Sequence, residues 1–188
     1  MMRAATNLCR RFIQSTRAVA AIEFAMIMPA LMIIFLGSFD AGRAINIYMK
    51  VRSATYALAA ITNQYPTIAA SDMTTITGAT SKIFYPYSTT PAVVTISQIA
   101  ISNVGAATIA WSYSQGGTAR AQGSPITVPA NLAVKNSYLI FAEVSYAFTP
   151  MFGYFSSGSI NFSDNLYTTP RSSSCVVYTP EQTAAACT

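Results

Sequence analysis

Between Arg17 and Asp40 the chain reads RAVAAIEFAMIMPALMIIFLGSF, an apolar run interrupted by a single carboxylate, Glu23. Ala18 to Phe39 is 22 residues, and a helix of that length spans about 33 Å, close to a bilayer core. A secretory signal peptide would have a shorter apolar core and a small-residue cleavage site on its far side. Here the pattern continues past Gly42 into AINIYMKVRSATYALAAITNQYP, where Ala44, Ile47, Tyr48, Val51, Thr55, Leu58 and Ile61 recur at helical spacing. Arg43, Asn46, Lys50 and Ser53 fall on the other faces, the signature of an amphipathic helix. The pattern predicts one long helix: a transmembrane half over 19–40 and an amphipathic stem over 41–66, ended near Pro66. Pro29 is expected to bend it, because proline lacks an N–H and crowds the preceding turn.

Beyond the stem the period shortens. Residues 67–79 are rich in Thr, Ser and Ala and read as a polar connector. AVVTISQIAISNV (92–104), ATIAWSYS (107–114), SYLIFAEVSYAF (137–148) and SINFSDNLYTT (159–169) are β-branched and aromatic with partial alternation, as strands are. SQGGTARAQGSP (114–125) has the Gly and Pro content of a hairpin-like loop. These segments predict four or five antiparallel strands with one face packed on the helical stem. The fold class is α+β, with residues 67–188 as a β-rich domain.

Charge changes the picture once it is located. The formal net charge is +5, but Arg3, Arg10, Arg11 and Arg17 all precede the apolar run, with no acid among them. The remainder holds seven Lys/Arg against six Asp/Glu, too balanced for a phosphate-binding footprint, so no nucleic-acid partner is expected. The basic cluster instead sets topology. By the positive-inside rule Met1 to Arg17 are cytoplasmic and everything after about Asp40 is exported.

Catalytic chemistry has little to stand on. The chain has no histidine, which removes imidazole metal sites and Ser-His and Cys-His pairs. The charged residues after Gln64 are scattered, with no carboxylate pair, no acidic cluster and no Gly-rich phosphate loop. Glu143 lies in an apolar strand, where pairing with Arg120 or Lys135 across the sheet is a simpler use than catalysis. Trp111, Tyr113, Tyr146 and Tyr154 could form an aromatic binding surface, and core packing is the simpler account. A Ser-Lys dyad through Lys82 or Lys135 has no feature that fixes its partner. The expectation is a non-enzymatic protein without cofactor or metal.

Glu23 remains. An acid in a spanning helix costs a few kcal/mol unless it is shallow, neutralised or paired. Either it snorkels to the near interface or it meets a positive charge in a partner. RAVAAIEFAMIMPALMIIFLGSFDAGRA resembles the N-terminus of the TadE-like minor pseudopilins of the tight-adherence (Flp) pilus, a branch of the type IV pilins. Pro29 and the small residues Gly37 and Gly42 also fit. ITVPANL, EVSYAFTPMFGYF and TTPRSSS resemble later blocks of the same family more weakly. The resemblance implies that a prepilin peptidase removes a leader, 1–18, by cutting between Ala18 and Val19. Ala18 stands where the family usually has Gly. Glu23 is then the fifth mature residue, followed by Phe24. The implied role of Glu23 and Phe24 is an assembly contact, the carboxylate neutralising the new terminal amine of a neighbouring subunit. Two opposite charges in a low-dielectric layer attract far more strongly than in water. The implied partners are the peptidase, the major pilin and other minor pseudopilins, the pilus platform proteins and membrane lipid.

The resulting expectation is a single-pass inner-membrane protein with its C-terminal domain in the periplasm, acting in pilus assembly, initiation or adhesion and either remaining there or entering an extracellular pilus. The alternative is an uncleaved, signal-anchored periplasmic scaffold or sensor module. Cysteine placement agrees with export. Cys9 belongs to the leader, whereas Cys175 and Cys187 both lie beyond the membrane, where disulfides persist. A Cys175–Cys187 disulfide is expected. Two thiolates with Glu181 and no histidine would make a poor zinc site.

Overall fold

The computed structural model describes residues 16–153 and 158–179. The helix α1 runs unbroken over Thr16–Thr62, with Pro29 inside it, and at 47 residues it is about 70 Å long. Then follow β1 (Thr67–Ala69), α2 (Ala70–Phe84), β2 (Ala92–Ile101), β3 (Ala107–Gln115), β4 (Ser137–Phe148), β5 (Ile160–Thr168) and β6 (Val177–Thr179). This is the expected α+β fold: a long N-terminal helix and a four-stranded antiparallel sheet. The four main strands lie within two or three residues of the segments read from their alternation.

The chain divides into two compact units. One comprises α1 up to Arg43 and the described part of the β4–β5 connection, Pro150–Gly158. The other begins at Ala44 and contains the sheet, α2 and the β1–β6 pair.

In the second unit the sheet order is β3-β2-β4-β5, all antiparallel. Its inner face carries Val94, Ile96, Ile140, Ala142 and Val144, which share one buried core with Ile47, Val51, Ala54 and Leu58 of the stem. The stem therefore packs on the sheet as its periodicity requires. Tyr48 departs from that periodicity: it is exposed, sitting at the margin of the stripe with its ring edge-on to Phe162. Lys50, placed on a polar face by the sequence, turns inward instead. Its ammonium donates to the carbonyls of Ile83 and Tyr85, both at 2.8 Å, and so caps the end of α2 with a cation.

The segment read as a polar connector is largely structured. Residues 67–69 form β1, and α2 begins at once. Met73, Ile76, Thr77, Thr80 and Phe84 form its buried stripe. The threonines hide their polarity by bonding back up the helix, as Thr77 Oγ1 does to the Met73 carbonyl at 2.9 Å. Asp72 accepts the Ala69 N–H at 3.1 Å, closing the first turn. The stem stops at Thr62, earlier than Pro66, and Ser172 Oγ donates to the Gln64 carbonyl just beyond it. The TTPRSSS block thus holds the stem's end, with Arg171 N–H also bonded to the Asn63 carbonyl.

A register shift between Gln98 and Ile99 leaves Ala110 of β3 without a partner residue in β2, a bulge of the kind that re-aims side chains. Below it Ile99, Ile101, Ile109, Leu139 and Phe141 form a second, smaller core on the outer face. Ile126, Val128 and Leu132 cover that core. The stretch 114–125 is therefore not a simple hairpin loop. After Gly116 the chain folds back along β3, with Ile126 N–H bonded to the Ala107 carbonyl and Gly123 N–H to that of Ile109. Gly116 has φ +81° and lies where a Cβ would stand 2.6 Å from the Ala92 carbonyl oxygen, so only glycine fits the turn. ITVPANL (126–132) forms no named strand; besides the Ile126 bond to β3 it turns at Pro129, whose carbonyl accepts the Leu132 N–H, and supplies cover for the outer core.

β6 pairs in parallel with β1, joining residues more than a hundred positions apart. Trp111 Nε1 donates to the Val176 carbonyl at 2.7 Å, and Val176 N–H donates to Gln98 Oε1 at 2.7 Å. Trp111 and Tyr146 are buried, and Tyr113 packs edge-on against Tyr178. Trp111 and Tyr146 are core residues, and Tyr113 is partly buried against that core. Tyr154 lies outside the described residues.

Candidate functional site: an exposed apolar helix and two acids

In the first unit the apolar stretch of α1 is exposed among the described residues. Val19, Ile22, Phe24, Met26, Ile27, Leu31, Ile34 and Phe35 are all exposed. At 100° per residue they face every direction, so no apolar stripe separates a core side from a water side. Among the described residues this is the one helix long and apolar enough to cross a membrane, and none of its apolar stretch is buried. Such a surface needs lipid or other apolar helices around it.

Ala18 lies in the first turn of α1. Val19 is half-exposed, and Glu23 and Phe24 are exposed on the same helix. Val19 and Glu23 are four residues apart and therefore on one face, about 6 Å along the axis. As an exposed residue Glu23 is accessible to an external positive group. Cys175 is buried beside β6. Cys9 and Cys187 lie outside the described residues, as do the leader residues before Thr16.

At the other end of the apolar run Asp40 is almost buried. Its Oδ1 accepts the Met151 N–H and its Oδ2 the Phe152 N–H, each at 3.0 Å. Phe152 also meets Phe39 edge-on, ring centroids 6.0 Å apart, and Arg43 stands one turn on, its guanidinium 4.0 Å from Asp40. Sequence reasoning used Asp40 only as the boundary of the span. The signal was its position as the first charge after the run, but the partner is backbone from a distant loop, which no side-chain pattern announces.

The outer face of the sheet carries another concentration of polar groups among the described residues. Arg120 makes a bidentate pair with Glu143, Nη2 to Oε1 at 2.9 Å and Nη1 to Oε2. Its guanidinium lies over the Phe141 ring at 5.4 Å, and Phe141 stacks on Tyr167 at 4.2 Å. Burial, reinforced by the nearby Glu143 charge, pushes the Tyr167 hydroxyl up from its ordinary value. Hydroxyl pairs line the adjoining strands: Thr95 with Ser114 at 2.9 Å and Ser97 with Ser112 at 2.8 Å. A hollow of about 360 Å³ opens beside them, bounded by Thr95, Thr118, Arg120, Glu143, Ser145 and Asn165 among others. Both oxygens of Glu143 are taken by Arg120, which leaves neither group poised as a base. Of the two cations considered for Glu143, Arg120 is the partner, while Lys135 is exposed. Among the described residues no group of three or more Cys, Asp or Glu is placed to hold a metal.

The comparisons single out the helical part. Residues 18–60 match the family model described as TadE-like protein. None of the curated proteins and none of the solved structures matches the chain. The matched stretch contains Ala18, Val19, Glu23 and Phe24, the whole apolar run, Asp40 and most of the stem. Over residues 18–60 this chain is similar to the TadE-like family, a likeness that suggests involvement in the Tad pilus system.

Proposed function

We propose that the chain is a non-enzymatic minor pseudopilin of a tight-adherence pilus, acting in assembly or initiation of the fibre and in surface adhesion. In this reading α1 holds it in the inner membrane with the leader in the cytoplasm and the sheet domain in the periplasm. A prepilin peptidase cuts between Ala18 and Val19. The major pilin, other minor pseudopilins and the platform proteins are then its partners, and Glu23 sets register against a neighbour's amine. The observation that carries the reading is the coincidence of the TadE-like match with an exposed apolar helix bearing one acid four residues past Val19.

N-terminal sequencing of the membrane-extracted protein, with and without the peptidase, tests it. The expected mature chain begins at Val19 and appears only in peptidase-competent cells. Recovery of intact protein beginning at Met1 or Met2 from those cells overturns the processing step and favours the signal-anchored scaffold.

A further inference from the structure

The β4–β5 connection carries two exposed apolar side chains, Met151 and Phe152, on a segment fastened to the foot of the apolar run. The fastening is specific: both Asp40 carboxylate oxygens are used, one on each of two successive backbone N–H groups. Gly153, at φ 61°, turns the chain immediately afterwards. The result sets Phe152 against Phe39, the last apolar residue before the first exit charge. A loop meant for water would not place a methionine and a phenylalanine outward while its backbone is pinned. Apolar and aromatic side chains at this level are what the boundary between headgroups and acyl chains accepts. A carboxylate there is tolerated because both its oxygens are hydrogen-bonded.

We propose that Met151 and Phe152 form a second membrane contact, seated in the interfacial layer of the bilayer at the Asp40 end of the span, with Asp40 as the clasp that keeps them there. The occupant of this patch is lipid, because the patch is continuous with the exposed apolar surface of α1 through Phe39 and Phe35. The inference rests on α1 crossing the bilayer and is independent of leader cleavage and of any pilus role. The contact would fix the rotation of α1 about its axis, since one side of the helix carries the loop into the interface.

The test uses the full chain reconstituted in phosphatidylethanolamine–phosphatidylglycerol vesicles, with Phe152→Trp as reporter. Trp111 is fully buried and supplies a constant background, so the wild-type spectrum is subtracted. The added emission is expected to be blue-shifted, quenched by lipids brominated near the headgroup end of the chains, and shielded from aqueous iodide. Asp40→Ala in the same background should shift it red and restore iodide quenching. A Leu31→Trp variant reports the span through quenching by bromines near the chain middle. If Leu31→Trp is quenched while Phe152→Trp is open to iodide, or is shielded from lipid and iodide alike, the loop contact is overturned and the span stands. If neither reporter is quenched by lipid, the span and the loop contact fall together. Unchanged depth of the residue 152 reporter in Asp40→Ala overturns the clasp.

Discussion

Glu23 and Glu143 are two acids in apolar surroundings, and their positions lead to opposite expectations. Glu23 stands exposed on a helix that needs a lipid or protein surround. If it pairs with a neighbour's amine, Glu23→Gln should leave insertion intact or ease it while weakening capture of the major pilin in pull-downs. Glu23→Lys should be worse, because it sets like charges together. Equal pull-down by wild type and Glu23→Gln would leave snorkelling as the account of the residue. Glu143 is already paired inside the molecule. Glu143→Ala should cost about 1 kcal/mol, the scale of a partly exposed pair, and denaturant titration reads it directly. That Glu143 needed a cation was legible from an acid in an apolar strand. Which cation was not, because Arg120 arrives on a chain segment that doubles back along β3, and nothing local encodes that return. Asp40 was legible as a boundary and opaque as a clasp for the same reason.

Elements with many residues of one period were legible, and short or polar ones were not. The apolar half of α1 and the four long strands repeat their pattern often enough to survive local noise. α2 escaped notice because threonine and serine supply much of its surface and part of its buried stripe, a composition that resembles a linker until Met73, Ile76 and Phe84 are seen to align. Its packing makes a clear prediction. Met73→Ala should destabilise the domain by about 2–5 kcal/mol, as deletions of fully buried side chains do. Thr74→Ala on its exposed side should stay within about 0.5 kcal/mol. The three-residue strands β1 and β6 have no period at all, and their pairing is visible only in three dimensions. Next to β6, Cys175 is buried while its expected partner, Cys187, lies outside the described residues. The disulfide stays a proposal, expected to add about 3 kcal/mol by restricting the unfolded chain. Mass spectrometry of non-reduced, freshly exported protein decides it: two alkylatable thiols would mean the bond is absent.

At the scale of the molecule, the main buried core lies wholly in the unit that begins at Ala44. The apolar half of α1 contributes nothing to it. A chain starting at Ala44 is therefore expected to fold without lipid or detergent, to run as a discrete species on gel filtration, and to unfold cooperatively with a near-UV signal from Trp111. Loss of that signal in the shortened chain would show that the span is needed for folding. The change from an apolar helix to an amphipathic one was legible because charge and period both change near residue 40. The order of the strands was not, since antiparallel strands of similar composition satisfy several arrangements equally.

The parallel pairing of β1 with β6 has a temporal consequence. The ribosome makes β1 early and β6 late, and the sheet between them is synthesised in the interval. Until residues 175–179 emerge, the indole N–H of Trp111 and the amide oxygen of Gln98 lack the bonds they make in the finished core. Each such orphan costs about 1–3 kcal/mol, a large part of the 5–15 kcal/mol that holds a typical domain together. Closure of the core is therefore expected to wait until almost all of the chain has been made. A product cut short before β6 would leave Trp111 and Gln98 without these bonds and is expected to be less stable than the full chain.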